Sequence, residues 1–221
     1  MCMYSTYIFD LDGTLLNTLD DLYLAVNYAL RCHRMPERTR DEVRRFVGNG
    51  VRLLMKRAVP EGEQNPQFEA AFSTFQQYYL KHSLDNTRPY DGIVEVLSEL
   101  KARGRQLAVV SNKFHVATCE LCSHFFPDTI SVAIGEHEAE GIRKKPAPDT
   151  VLEALRRLGV SAAHAVYVGD SDVDIATARN AGLPCISVLW GFRDRQFLSD
   201  HGATCFIESP HELLACQNLG T

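Results

Sequence analysis

Two aspartates, Asp10 and Asp12, stand one residue apart at the end of the apolar run Tyr7-Ile8-Phe9, and Gly13 follows at once. An apolar run that stops in acids and a glycine reads as a strand ending in a sharp turn. Two carboxylates this close repel each other, so a fold that places both at a strand end calls for a cation, a proton or a reaction to use them. One of the pair could attack an electrophile while the other carries a proton. A plain surface turn is the alternative, because Asp and Gly are common turn residues. Two further apolar runs end in polar groups of complementary types: Gln106 to Val110 leads into Ser111-Asn112-Lys113, and Ala165 to Val168 into Gly169-Asp170-Ser171-Asp172-Val173-Asp174.

In an open parallel sheet, ligands bind beyond the carboxyl ends of the strands, so these three ends would share one edge. Asp10, Asp12 and Asp170 then make a carboxylate cluster suited to Mg²⁺, a hard ion that takes a few protein oxygens and leaves room for water and phosphate. With a cation bound, an aspartate can attack phosphorus and form an aspartyl-phosphate. The Ser111 hydroxyl, the Asn112 amide and N–H groups at the start of the next helix can hold phosphate oxygens. The remaining requirement is a lysine to balance charge on the transferring group. Lys145, within Arg143-Lys144-Lys145-Pro146-Ala147-Pro148-Asp149, offers it, against the alternative of a solvated basic loop ahead of a helix.

The elements that must position these groups follow from periodicity. After the acidic turn, Thr18-Leu19-Asp20-Asp21 has the form of a capping box, and Leu22, Ala25, Val26, Ala29 and Leu30 recur at helical spacing up to about His33. Thr39-Arg40-Asp41-Glu42 repeats the capping signal, Val51 to Ala58 reads as a short helix, and Phe68, Ala71, Phe72, Phe75 and Tyr79 mark a longer one. No strand is expected between Asp20 and about His82. From Ile93 onward helices and short apolar strands alternate, with strands at Gln106 to Val110, Thr129 to Ile134, Ala165 to Val168, Cys185 to Leu189 and Thr204 to Ile207, and a last helix at Pro210 to Cys216. Strict alternation implies an α/β fold, a parallel sheet with helices on both faces. The all-helical stretch is inserted directly after the acidic turn, where it could act as a lid.

Composition narrows the function. At 221 residues and 45% hydrophobic, the chain can bury a sizeable core, and a formal charge of −5 argues against a nucleic-acid partner recruited by bulk charge. No apolar run approaches the roughly 20 residues of a membrane span, and the amino terminus lacks the look of a signal peptide, so a cytoplasmic protein with no membrane partner is expected. Seven scattered cysteines do not suggest a disulfide framework. Cys119 and Cys122 read as structural, Glu136-His137-Glu138 as a solvated loop, and Trp190-Gly191-Phe192 as packing beside a pocket rim.

Four ordered motifs, Asp10-Leu11-Asp12-Gly13-Thr14, Ser111-Asn112, Lys145-Pro146 and Gly169-Asp170-Ser171 with Asp174, together resemble the haloacid dehalogenase superfamily, in its phosphoglycolate phosphatase-like branch with a helical cap. The resemblance spans essentially the whole chain. It implies a Rossmann-like core of residues 1–16 and 88–221 and an inserted all-helical cap of residues 17–87. It implies Asp10 as the nucleophile, and Asp12 as general acid and then base, with the Asp12 main-chain carbonyl on the metal. It further implies that Thr14 supports the turn, that Ser111 and Lys145 clamp the phosphate, that Asp170 is a further metal ligand, and that Asp174 orients Lys145 or a metal-bound water. Asn17 stands where many relatives carry Asp. Within the cap, Gly48-Asn49-Gly50 and Arg52 resemble the stretch that faces the active site, where Arg52 could pair with a substrate carboxylate.

The expected protein is thus a Mg²⁺-dependent phosphatase of a small phosphorylated metabolite, 2-phosphoglycolate first, acting as a monomer or homodimer. Pyrophosphate, a nucleoside monophosphate or a sugar phosphate are alternative substrates. A catalytically silent binding module on the same fold is the alternative from another class, since fold alone does not establish function. It is disfavoured because Asp10, Asp12, Lys145 and Asp170 are all present.

Overall fold

Strand β1 (Thr6–Phe9) is buried along its whole length, as a largely apolar central strand of a parallel sheet should be. In the computed structural model, which describes residues 4–136 and 141–215, the chain divides into two units, 1–16 with 89–221 and 17–88. The first unit holds a six-stranded sheet whose partners all run parallel. Beside β1 lie β4 (Gln106–Phe114), β5 (Val132–Glu136), β6 (Ala165–Gly169), β7 (Cys185–Val188) and β8 (Phe206–Ile207), in the spatial order β5-β4-β1-β6-β7-β8. Two short strands, β2 (Leu16–Asn17) and β3 (Arg88–Pro89), form a separate two-stranded sheet where the chain leaves and re-enters this unit.

The strand order reverses at β1. The steps from β1 to β4 to β5 run one way across the sheet, and those from β6 to β7 to β8 run the other. Right-handed crossovers therefore put α6 (His115–Phe125), which links β4 to β5, and α8 (Asp172–Asn180), which links β6 to β7, on opposite faces. Such a reversal opens a crevice at the carboxyl ends of the strands beside it. On the α8 face, Ile8, Ala108, Val110, Ile134 and Tyr167 form one core with Val151, Ala154 and Leu155 of α7 (Asp149–Leu158). Alternate strand residues, Tyr7, Phe9, Leu107 and Val109, point to the other face and are equally buried.

Register decides which side chains meet. Phe9 is level with Val109 on β4 and with Val168 on β6, so Asp10, Ser111 and Asp170 come within one residue of a common line.

Several expected boundaries shift. Strand β4 runs on to Phe114 and takes in Ser111, Asn112 and Lys113, because their polar groups are satisfied inside the protein; its register with β5 slips between Val110 and Phe114. The strand expected at Thr129 to Ile134 begins at Val132, since Thr129 and Ile130 instead bond back to the Phe126 carbonyl as a turn after α6. Pro210–Leu214 forms a 3₁₀ turn, and Cys216 lies outside the described residues.

The second unit is built from α1 (Leu19–Cys32), α2 (Arg40–Phe46), α3 (Val51–Ala58) and α4 (Phe68–His82), with no strand between α1 and α4 among the described residues. Rings of α4 stack in a ladder, Phe68 on Phe72, Phe72 on Phe75 and Phe75 on Tyr79, with centroids 6.2, 6.5 and 5.7 Å apart. The capping box at Thr39 and Glu42 forms as expected. The one expected at Thr18 does not. The Asp21 carboxylate is instead claimed by the Asn86 and Thr87 backbone N–H groups and the Thr87 hydroxyl at 2.8 to 3.1 Å, where it ties the start of α1 to the returning chain.

Candidate active site

Asp10 leaves β1 with its N–H bonded to the Val168 carbonyl at 2.9 Å, which fixes its backbone to the neighbouring strand. The chain then reverses through Gly13, whose φ of +87° suits glycine. A Cβ on Gly13 would lie 2.4 Å from Asp170 Oδ2, so the turn is pressed directly against the end of β6. Thr14 Oγ1 donates to Asp170 Oδ1 at 3.2 Å, tying the first strand end to the third.

Lys145 lies at the centre. Its Nζ is 2.8 Å from Asp10 Oδ1, 2.8 Å from Asp174 Oδ1 and 3.0 Å from the Tyr167 hydroxyl. Burial works to lower its pKa, but the Asp10 and Asp174 carboxylates outweigh burial and hold the ammonium above its ordinary range. Asn112 fixes the lysine's backbone from both sides: its Nδ2 donates to the Lys145 carbonyl at 2.9 Å and its Oδ1 accepts the Lys145 N–H at 2.8 Å. Both ends of the Asn112 amide, expected on phosphate, are thus engaged with Lys145. Ser111 is buried at the same strand end, and its Oγ accepts the Lys113 N–H at 3.3 Å.

Asp174 caps α8 through Ser171, accepting the Ser171 N–H at 3.1 Å and hydroxyl at 2.6 Å on Oδ2, while Oδ1 faces Lys145 and Tyr167. Asp170 accepts the Phe192 N–H at 2.7 Å. Ligand oxygens of Asp10, Asp170 and Asp174 all lie within 4.8 Å of one another. Burial, reinforced by Asp174, raises the Asp10 carboxyl well above the usual carboxylate range and pushes Asp170 up to about 7. Such mutual discomfort marks a place for a cation. The inventory agrees: the four carboxylates of Asp10, Asp12, Asp170 and Asp174 outnumber the cations that act on them, Lys113, Lys145 and Arg193. The donors are all oxygen, the type a hard ion takes.

Two contributors, Lys113 and Tyr167, have no role in the expectations above, and a third, the segment after β7, was expected only to pack. Lys113 is wholly buried and holds both oxygens of Asp12, at 2.7 Å to Oδ1 and 2.9 Å to Oδ2. Tyr167 lies inside β6 with its hydroxyl between Lys145 and Asp174. The segment after β7 does more than pack: Trp190 Nε1 donates to the Thr14 carbonyl at 2.9 Å, and a Cβ on Gly191 would meet Asp170 Cβ at 2.4 Å. The one available signal was a fourth strand end, Leu189-Trp190-Gly191, at the same edge.

The residues singled out in the helical stretch belong to the second unit. Gly48, Asn49 and Gly50 join α2 to α3 with φ of 112°, 62° and 90°, three positive values in a row. The Arg52 guanidinium bonds to Glu63 at 3.0 Å and to both oxygens of Glu69, and lies over the rings of Phe68 and Phe72. Cys119 and Cys122 are unbridged; burial pushes the Cys122 thiol up to about 12, which fits a structural thiol. Glu136 ends β5, and His137 and Glu138 lie outside the described residues.

With this geometry in hand, the chain can be set beside known proteins. The family model for haloacid dehalogenase-like hydrolases matches residues 7–188. This chain belongs to that family. A phosphoglycolate phosphatase of Caulobacter vibrioides is 36% identical over 197 residues, covering 86% of this chain and 81% of the relative. An N-acetylmuramic acid 6-phosphate phosphatase of Pseudomonas aeruginosa is 30% identical over 217 residues, covering 94% and 92%. A solved structure from Lactobacillus delbrueckii subsp. bulgaricus, assigned as a candidate phosphoglycolate phosphatase, is 36% identical and superposes with a TM-score of 0.90 over 96% of this chain and 97% of its own. Fold and sequence thus make the chain a phosphoric monoester hydrolase of this family. No helix among the described residues is long and apolar enough to cross a membrane.

Proposed function

We propose that the protein hydrolyses the phosphate ester of a small metabolite through a phosphoryl group carried on Asp10. The observation that carries this reading is the placement of Asp10: at the end of the central strand, 2.8 Å from a buried ammonium and within 4.8 Å of Asp170 and Asp174. One Asp10 oxygen attacks phosphorus as the ester P–O bond breaks, and Asp12 gives the leaving oxygen its proton. Water, deprotonated by Asp12, then attacks the acyl phosphate, releases inorganic phosphate and restores the Asp10 carboxylate. Lys145 stays charged throughout and balances the transferring group, with Ser111 beside it. The Asp10 and Asp170 carboxylates and the Asp12 main-chain carbonyl would hold Mg²⁺, which supplies charge neutralisation at the phosphoryl oxygens.

2-Phosphoglycolate is the first candidate substrate, supported by relatives bearing that name at 33% and 36% identity. A phosphorylated amino sugar acid is the second reading, supported by the relative that matches nearly the full length of both chains. Both substrates pair a phosphate monoester with a carboxylate, so a small anionic metabolite is the common description. Residues 17–88 are proposed to serve as the lid that selects it.

The test is phosphate release from a panel of phosphorylated metabolites with Mg²⁺, for the wild type and for Asp10→Asn. The wild type is expected to turn over at least one carboxylate-bearing phosphate, and the variant to stay folded with activity lost. Turnover by Asp10→Asn at anything near the wild-type rate would remove the covalent step.

A further inference from the structure

Lys113 carries no role in the phosphatase chemistry described so far, yet its placement is specific. It is the third residue of the polar stretch at the end of β4, its side chain has no exposed surface, and its ammonium donates to Asp12 Oδ2 at 2.9 Å and lies 2.7 Å from Oδ1 as an ion pair. A buried lysine is costly unless its charge is paired, and here the partner is the carboxylate assigned to proton transfer. The two lysines divide the two neighbouring acids between them: Lys145 takes Asp10 and Lys113 takes Asp12. An aspartate one residue from the nucleophile, in the same crowded turn, has an obvious wrong place to go, the oxygen cluster of Asp10, Asp170 and Asp174. One hydrogen bond and the ion pair with a buried ammonium hold the carboxyl group away from that position.

We infer that Lys113 is a positioning residue for Asp12: it aims the carboxyl group at the leaving-group oxygen and thereby determines how well protonation accompanies breaking of the ester bond. This rests on the reading above, in which Asp10 forms the P–O bond, the ester P–O bond breaks, and the proton on Asp12 goes to the departing oxygen. Lys113 itself transfers nothing and acts only through the Asp12 carboxyl group. The consequence is chemical selectivity. An alkyl phosphate must protonate its alkoxide as it leaves, whereas 2,4-dinitrophenyl phosphate expels a stable anion that needs no proton. General acid catalysis contributes on the order of 10²–10⁴-fold where it is required.

The experiment compares an alkyl phosphate turned over by the wild type with 2,4-dinitrophenyl phosphate, in the full chain with Mg²⁺. For Lys113→Met, kcat/KM on the alkyl phosphate should fall about 100-fold and on the dinitrophenyl ester by less than about 5-fold, the difference being the lost proton transfer. The pair is then closed as a cycle with Asp12→Asn. If Lys113 works through Asp12, adding Lys113→Met to Asp12→Asn costs no further activity on either ester. The double variant also replaces both charges of the pair at once, so it reports even where Lys113→Met alone fails to fold. Equal losses on both esters, or a further loss in the Asp12→Asn background, would overturn the inference. A wild type that releases phosphate from no ester would instead overturn the phosphatase reading beneath it.

Discussion

Lysine has three N–H bonds to give, and on Lys145 all three meet acceptors: Asp10, Asp174 and Tyr167. A phosphate can join this set only when one acceptor lets go, and in the proposed reaction Asp10 is the acceptor whose oxygen attacks phosphorus. Asp174 and Tyr167 keep the ammonium aimed while that exchange happens. Arg52 poses the opposite question, because its guanidinium already holds Glu63 and Glu69 against two rings. Three of its five N–H bonds and both ring faces are committed there, and its charge is already balanced by two glutamates, so Arg52→Ala is expected to lower kcat/KM for a carboxylate-bearing phosphate and for an aryl phosphate by the same factor, within about 2-fold. A selective loss on the carboxylate substrate, read from the two rates side by side, would return Arg52 to substrate recognition. These residues also show what single positions reveal. Asp10, Asp12 and Asp170 were legible because an acid closing an apolar run has a pattern of its own. Lys113, Tyr167 and the true partner of Asn112 were not, since their meaning lies in a neighbour at least 22 positions away, or 7 in the case of Tyr167 and Asp174.

Among the elements, those with a strong period were legible from the sequence and those with mixed polarity were not. The apolar strands and the helices around Leu22 and Phe75 announce themselves, whereas Ser111-Asn112-Lys113 reads as loop until the bonds that satisfy it inside β4 are seen. The segment after β7 is the most instructive case. It offers only Trp190-Gly191-Phe192 to the reader of the sequence, yet it braces the Asp170 carboxylate from outside through the Phe192 N–H and anchors the Asp10 turn through the Trp190 indole. Gly191 permits this by being small: a Cβ there would come within 2.4 Å of Asp170 Cβ, 2.5 Å of Asp170 Oδ2 and 2.5 Å of the Gly13 carbonyl. Backbone and β-carbon cannot yield as a flexible side-chain tip would. Gly191→Ala should therefore push Asp170 off its line, and loss of an orienting contact of this kind weakens metal binding by about 10–100-fold. Calorimetric titration of the purified variant with Mg²⁺ reads this directly, independent of turnover, and an affinity equal to that of the wild type would show that the loop merely packs.

At the scale of the whole molecule, the site is a fault line in stability. Asp10 and Asp170 are raised by burial and by the charge of Asp174, with Asp170 at about 7, while a carboxyl in the unfolded chain titrates near 3.9. A carboxyl whose pKa is higher folded than unfolded binds its proton more tightly in the folded state. The stability this contributes is complete below the unfolded value and is lost as pH rises through the folded one. Metal-free protein is thus expected to melt at a lower temperature near pH 8 than near pH 5, the reverse of the usual behaviour of a salt-bridged aspartate. In the proposed site Mg²⁺ would compete with those protons for the same oxygens, so its stabilisation should grow across that interval. Above pH 7, at about one hundred times its dissociation constant, it should restore about 2.7 kcal/mol. Thermal unfolding followed in EDTA and in Mg²⁺ at both pH values measures each effect, and Asp170→Asn separates this cluster from other titrating groups, because the pH dependence in EDTA should flatten in that variant. Equal Mg²⁺ stabilisation at both pH values would mean that the ion does not share the buried carboxylates, and would move the metal away from the strand ends where Asp10 and Asp170 meet.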